Sequence, residues 1–282
     1  MDRSNAFVFG LTDFNREKLE AMPGSEAVAF HKLLDRAEVT ERMHYPIESL
    51  LEQARQRLRD FPGSVDGLIH TIDFPVSTIV PILAGEFGLP SASLESVLTC
   101  EHKYWARVEQ AQVTPEATPP FAAFDPFDDD ALARLEREVG YPFWIKPVKS
   151  FSSYLGFRVD APADFHAGIQ RIRAEISRFR EPFDHLLEQV ERPAAVQAVG
   201  GGDCLAEGII DGHQVTLEGY GFRGRIHVYG AIDSHRGDNR STFTSYRYPS
   251  ALPASVLERM EAVVRRFLEH AGYDNMPFNA EY

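Results

Sequence analysis

Across roughly the first hundred residues, short apolar runs alternate with amphipathic stretches, the pattern of an α/β sheet domain. Ala6-Phe7-Val8-Phe9-Gly10-Leu11 reads as the first strand and residues 66–73 as a later one. Between them Leu50, Leu51, Ala54 and Leu58 recur at helical spacing opposite charged residues, which makes one buried helix face. A further helix is expected from near Pro75 to Gly88-Leu89-Pro90, where glycine and proline stop it. A dinucleotide site would need GxGxxG after the first strand. Only Gly10 stands there, before Leu11-Thr12-Asp13, which argues against an NAD site in this sheet.

The pattern then changes. A proline-rich stretch, residues 113–127, follows a charged helix around Lys103 and is expected to be a linker between lobes. Asp128-Asp129-Asp130 are suited to cap and charge a short helix over residues 131–139 that ends at Gly140. Phe143-Trp144-Ile145-Lys146 predicts a strand, Gly156-Phe157-Arg158-Val159 a second one, and residues 164–179 a helix, together a small α+β lobe. From Cys204 onward three strand patterns, residues 205–210, 214–221 and 225–232, are separated by Asp211-Gly212 and Arg223-Gly224. An antiparallel meander is the expected result. An amphipathic helix over residues 254–271 closes at Gly272, and residues 276–282 begin another strand. Because the sequence stops inside that strand, a C-terminal remainder is expected to be missing.

A formal net charge of -13 over 282 residues disfavours a broad nucleic-acid surface, which needs clustered lysine and arginine. A small polyanion would have to find its positive charge locally, from a few lysines and backbone N–H groups. The longest apolar runs, residues 6–11 and 79–84, are too short to cross a bilayer or to form a signal-peptide core. The expectation is a soluble, cytoplasmic protein without membrane or nucleic-acid partners. Cys100 and Cys204 are far apart and lack CxxC spacing, so they read as idle thiols.

The chemistry-bearing feature is Tyr141-Pro142-Phe143-Trp144-Ile145-Lys146-Pro147, a lysine on an otherwise apolar strand. A lysine there is costly to bury unless it meets an anion. The turn that follows, Lys149-Ser150-Phe151-Ser152-Ser153-Tyr154-Leu155-Gly156, supplies hydroxyls, N–H groups and a glycine, the equipment of a phosphate-covering loop. Taken alone, a surface lysine beside a solvated hairpin explains the same residues.

In context, Gly140-Tyr141-Pro142, three apolar residues and Lys146-Pro147 resemble the corresponding strand of the ATP-grasp family. Leu89-Pro90-Ser91 through Ser96, then Glu101-His102-Lys103-Tyr104-Trp105-Ala106-Arg107, is similar to the family segment whose lysine reaches the nucleotide phosphates, which points to Lys103. Leu205-Ala206-Glu207-Gly208-Ile209-Ile210 is similar to the family's hinge strand. There Glu207 and the backbone of Ile209 and Ile210 would read the adenine edge, with the two isoleucines forming an apolar slot. Gln214 stands where many members place a ribose-binding acid. Phe278-Asn279-Ala280-Glu281-Tyr282 resembles the strand of the first magnesium-binding acid, which points to Glu281.

The resemblance covers about residues 89–282 and implies a fold of α/β and α+β parts. An N-terminal Rossmann-like (pre-ATP-grasp) domain with its connecting helix would span residues 1–112. The small lobe, or lid, would span 113–204, and the start of the large lobe 205–282. It also implies ATP and Mg2+ as cofactors, with Lys103, Lys146, Ser150, Ser152, Ser153, Glu207, Ile209, Ile210 and Gln214 on the nucleotide and Glu281 on the metal. The implied activity is a C–N-forming ligase that activates a small-molecule carboxylate as an acyl phosphate for attack by an amine, with a homodimer as a possible assembly. A biotin-carboxylase-like or formate-using enzyme and a non-catalytic ATP-binding module are the alternatives. Arg223, Arg225, His227, Arg236 and Arg240 form a locally basic segment suited to a carboxylate or phosphate, or else an ordinary polar loop.

Overall fold

The computed structural model describes residues 3–40, 45–151, 153–237 and 243–282. They form two compact units, Met1–Val97 and Leu98–Tyr282.

In the first unit the expected strand is β1 (Ser4–Phe9). It is followed by α1 (Asp13–Glu20), β2 (Val28–Lys32), α2 (Arg36–Thr40), α3 (Ile47–Arg59), β3 (Gly67–His70) and α4 (Val76–Phe87). β1 pairs in parallel with both other strands, giving a sheet in the order β2-β1-β3. Ala6, Val8, Leu11 and Phe30 are packed together on one side of it. The apolar face foreseen for α3 is buried as Leu50, Leu51, Ala54 and Leu58, joined by Ile47. Gly88 ends α4 in the left-handed region, φ 67°, which a residue without Cβ adopts at little cost. Gly10 turns the chain after β1 at φ +65°, with its amide donating to Leu34 O at 2.9 Å.

α5 (Leu94–Glu101) leads into the second unit, where α6 (Lys103–Val113) begins with His102 as its cap. The expected linker holds a strand, β4 (Phe121–Phe124). Its two prolines, Pro119 and Pro120, precede the strand, so they do not interrupt its hydrogen bonds to the neighbouring chain. Then come α7 (Ala131–Glu138), β5 (Phe143–Pro147), β6 (Phe157–Val159), α8 (Pro162–Glu175), α9 (Ser177–Leu187) and β7 (Cys204–Gly208). The helix expected over residues 164–179 is thus two helices. Asp130 occupies the cap of α7 without a side-chain cap bond; Asp128 instead accepts the Asp130 amide at 2.9 Å.

The meander expected from Cys204 onward is not formed, because its first strand belongs elsewhere. β7 is antiparallel to both β4 and β5 in a sheet ordered β4-β7-β5-β6. β8 (Val215–Phe222), β9 (Arg225–Arg236), β10 (Phe243–Arg247) and, after α10 (Ala254–His270), β11 (Pro277–Glu281) make a second antiparallel sheet, β10-β9-β8-β11. The sequence of β7 explains the choice: Cys204 and Ala206 lie in the same core as Phe143, Ile145 and Val159, covered by α7 and α8. Strand alternation then carries Trp144, Lys146, Leu205 and Glu207 to the opposite face. α6 meets β4 and β7, and α10 packs along β9 and against α6. Among the described residues no helix is long and apolar enough to cross a membrane.

Candidate functional site

The register of β5 and β7 sets Trp144 opposite Glu207 and Lys146 opposite Leu205. Lys146 and Glu207 are therefore diagonal neighbours on one face, within reach of long side chains. The Lys146 ammonium donates to Glu207 Oε1, and Arg107 Nε, from α6, donates to Glu207 Oε2 at 3.0 Å. Glu207 is only 7% exposed. Burial by itself would push its carboxyl up, but the charges of Lys146 and Arg107 and their hydrogen bonds outweigh that and hold it below the usual carboxylate range. The result is an ionised carboxylate with two cations, both partly open to solvent.

Next to this triad, the start of α6 is attached to the turn after β5. The Lys103 amide donates to Val148 O at 2.9 Å, and its ammonium donates to Ser150 O at 2.6 Å. His102 is fully buried at the cap. Its Nδ1 accepts the Trp105 amide at 3.1 Å, which leaves Nε2–H to donate to Val199 O at 3.3 Å. Burial depresses the imidazole to about 4, so the ring is neutral at pH 7 and adds no charge beside Lys103. Glu101 and Lys149 are bonded at 2.6 Å.

The other foreseen residues are placed as follows. Ser150 is buried in the turn, and Ser153 is exposed with φ +58°. Ser152 lies outside the described residues. Ile209 and Ile210 follow β7, and Ile210 is 62% exposed. Gln214 precedes β8 and accepts Arg236 Nε at 2.6 Å through its side-chain oxygen. Glu281 is exposed on β11, in register with Thr216 of β8; Asn279, two residues earlier, donates to Glu218 Oε1 at 2.7 Å. Among the described residues no group of three or more His, Cys, Asp or Glu is placed to hold a metal ion by itself.

Of the basic segment, Arg236 lies 4.2 Å from the Phe243 ring centroid and Arg223 5.0 Å from that of Phe222. His227 stacks on Tyr220. Arg240 lies outside the described residues. Burial keeps both thiols protonated, raising Cys100 to about 12 and Cys204 far above its usual value. Sequence reasoning did not single out Arg107, Glu101, His102 or Lys149. Arg107 was findable, since it lies four residues after Lys103 and so on the same helix face.

The arrangement sets the Lys146 and Lys103 side chains at β5 and at the turn that follows it, with Ile209 and the exposed Ile210 directly after β7. A family description, "ATP-grasp domain", matches residues 139–282. No curated protein matches in sequence. Among solved structures, L-amino acid ligase from Bacillus licheniformis has a TM-score of 0.70 at 18% identity, covering 100% of this chain and 63% of that one. N5-carboxyaminoimidazole synthetase from Staphylococcus aureus, complexed with ADP, has a TM-score of 0.64 at 11% identity, covering 100% and 67%. D-alanine–D-alanine ligase from Bacillus anthracis has a TM-score of 0.61 at 12% identity, covering 100% and 82%. At such identities the likeness is one of fold, and this chain spans under two thirds of the length of the first of them.

Proposed function

The chain belongs to the ATP-grasp family, and on that premise we propose that it is an ATP-dependent ligase joining a small-molecule carboxylate to an amine. The observation that carries the reading is the Glu207 carboxylate held between Lys146 and Arg107 on the face away from α7 and α8. Burying such charges costs more than apolar packing of the same volume would, so stability alone is a weak account of the cluster.

In this reading Lys146 and Lys103 contact the nucleotide phosphates. The Lys146 ammonium carries three N–H donors, so its bond to Glu207 does not exhaust it. Ser150 and Ser153 line the phosphate turn. Glu207 and the backbone of Ile209 and Ile210 meet the adenine edge, and Gln214 meets the ribose. A carboxylate oxygen of the first substrate attacks the γ-phosphorus, and ADP leaves. The amine nitrogen then attacks the acyl carbon, phosphate departs, and the nitrogen loses a proton. The lysines act by position and by stabilising negative charge as it shifts, rather than by forming bonds.

Glu281 offers a hard carboxylate oxygen on an exposed strand position, the donor type that magnesium takes together with nucleotide phosphates. When bound, magnesium would neutralise phosphate charge. We read the lobe division near residue 204 with β7 on the small-lobe side, and cytoplasmic placement and a homodimer stay part of the proposal.

Calorimetric titration of Mg-ATP tests the reading. The native protein should bind, Lys146→Ala should bind at least tenfold more weakly, and a screen of carboxylate and amine pairs should release ADP. Equal binding in both proteins would move the nucleotide away from Lys146, and binding without ADP release from any pair would sink the ligase assignment.

A further inference from the structure

One buried ion pair is not used in the chemistry above. Lys149 is 3% exposed, and its ammonium lies 2.6 Å from Glu101 Oε2 and 5.9 Å from the Phe183 ring centroid of α9. A lysine buried this far loses several kcal/mol of hydration, and buried ion pairs seldom repay that cost in stability. Its placement gives a better account of it. Lys149 is the residue before Ser150, whose carbonyl takes the Lys103 ammonium, and Glu101 stands two residues before Lys103. The pair therefore brackets that bond from both chain segments. Two backbone constraints complete the bracket. The Lys103 amide is fixed on Val148 O at 2.9 Å, and the Val148 amide on Asp203 O at 3.0 Å.

We propose that Glu101 and Lys149 are positioning residues that set the Lys103 ammonium and the Ser150 turn at the separation needed to hold nucleotide phosphates. The inference rests on the ATP-binding reading above and adds two residues to it. Neither touches the nucleotide. Rotamer freedom makes a lysine ammonium a poor fixed point, because its four-carbon stem moves widely unless the segment that carries it is tied down. In a rigid site a displacement near 1 Å costs on the order of a hundredfold in a positioned interaction.

A phosphate-specific loss separates positioning from plain stabilisation. Mg-ATP and adenosine are titrated by calorimetry into the native protein, into Glu101→Gln/Lys149→Gln and into Lys149→Arg, with thermal melts of each. The doubly substituted protein exchanges two charges for two amides of similar length, and Lys149→Arg keeps the charge but changes its reach. Both should bind Mg-ATP at least tenfold more weakly while adenosine binding stays within twofold. Native-like ATP binding in either folded variant, or an equal loss of ATP and adenosine, overturns the positioning role. Should the native protein bind adenosine and ATP equally well, or neither, the phosphate site fails together with the inference, a result that separates it from a failure of the pair alone.

Discussion

The Lys146 ammonium is bonded to the Glu207 carboxylate across β5 and β7, although the two residues are 61 positions apart in the chain. Arg107 occupies the second carboxylate oxygen. Removing the acid leaves two neighbouring cations without their shared counter-charge, whereas removing one cation leaves Glu207 still paired. Glu207→Ala should therefore lower unfolding stability by about 3 kcal/mol, and Lys146→Ala by clearly less. Urea unfolding of the two variants checks the order. If Lys146→Ala proves the more damaging, the carboxylate is not the hub.

A pH dependence follows from His102. Its folded value, about 4, lies below the ordinary imidazole value of 6.5, so between these two values the unfolded chain binds the proton more readily. Stability is then complete above about pH 6.5 and falls as pH drops towards 4, by about 3 kcal/mol in total. Glu207 adds a second loss at lower pH, as pH falls from the ordinary carboxylate range through its depressed folded value. His102→Asn keeps a capping side chain and removes the titration. Its stability at pH 8 should fall by about 1 kcal/mol, while the decline between pH 6.5 and 4 flattens. An unchanged decline would assign the acid sensitivity to other groups.

What could be read in advance follows from how far each signal reaches along the chain. Lys146 was singled out as a lysine on an apolar strand, and Glu207 and Glu281 by their resemblance to family segments; their roles are proposals. The contact between Lys146 and Glu207 was not legible. Residues 143–147 and 204–208 are separated by two helices, and periodicity carries no information about which distant strand a strand joins. The same blindness produced the expected meander, since residues 205–210 and 214–221 look like hairpin partners while β7 is inserted between β4 and β5. β4 was read as a linker because it has only four residues and follows two prolines. β2, short and half polar, gave no clear alternation. By contrast α10 was foreseen to within one residue, because five turns of amphipathic pattern average out local ambiguity.

The second sheet depends on an absent side chain. Gly219 sits where the pairing of β8 with β9 shifts register, opposite Phe278 of β11. An added Cβ would lie 2.3 Å from His227 O and 2.3 Å from the Phe278 ring. One of these neighbours is backbone, so the clash cannot be relieved by a rotamer change alone. Gly219→Ala should cost about 3 kcal/mol and speed amide exchange in β8, β9 and β11 while leaving β5 and β7 protected. Uniform exchange throughout the second unit would mean that its two sheets unfold together.

Glu281 supplies the last prediction, and it separates a metal role from a structural one. The side chain is exposed on β11, so Glu281→Gln keeps size and strand propensity and should leave the melting temperature unchanged. On the proposed metal role, ATP should bind the native protein more tightly as magnesium is added, since Glu281 would help hold the metal and the metal would neutralise phosphate charge. Glutamine retains an oxygen but not the charge, so the magnesium-dependent gain should shrink on the order of tenfold, the worth of about 1.4 kcal/mol. Binding in the presence of excess chelator should be the same in both proteins. Asn279→Ala is the control, since Asn279 donates to Glu218 on the same strand pair. If that substitution alone abolishes the magnesium response, the metal is held through Glu218 rather than Glu281.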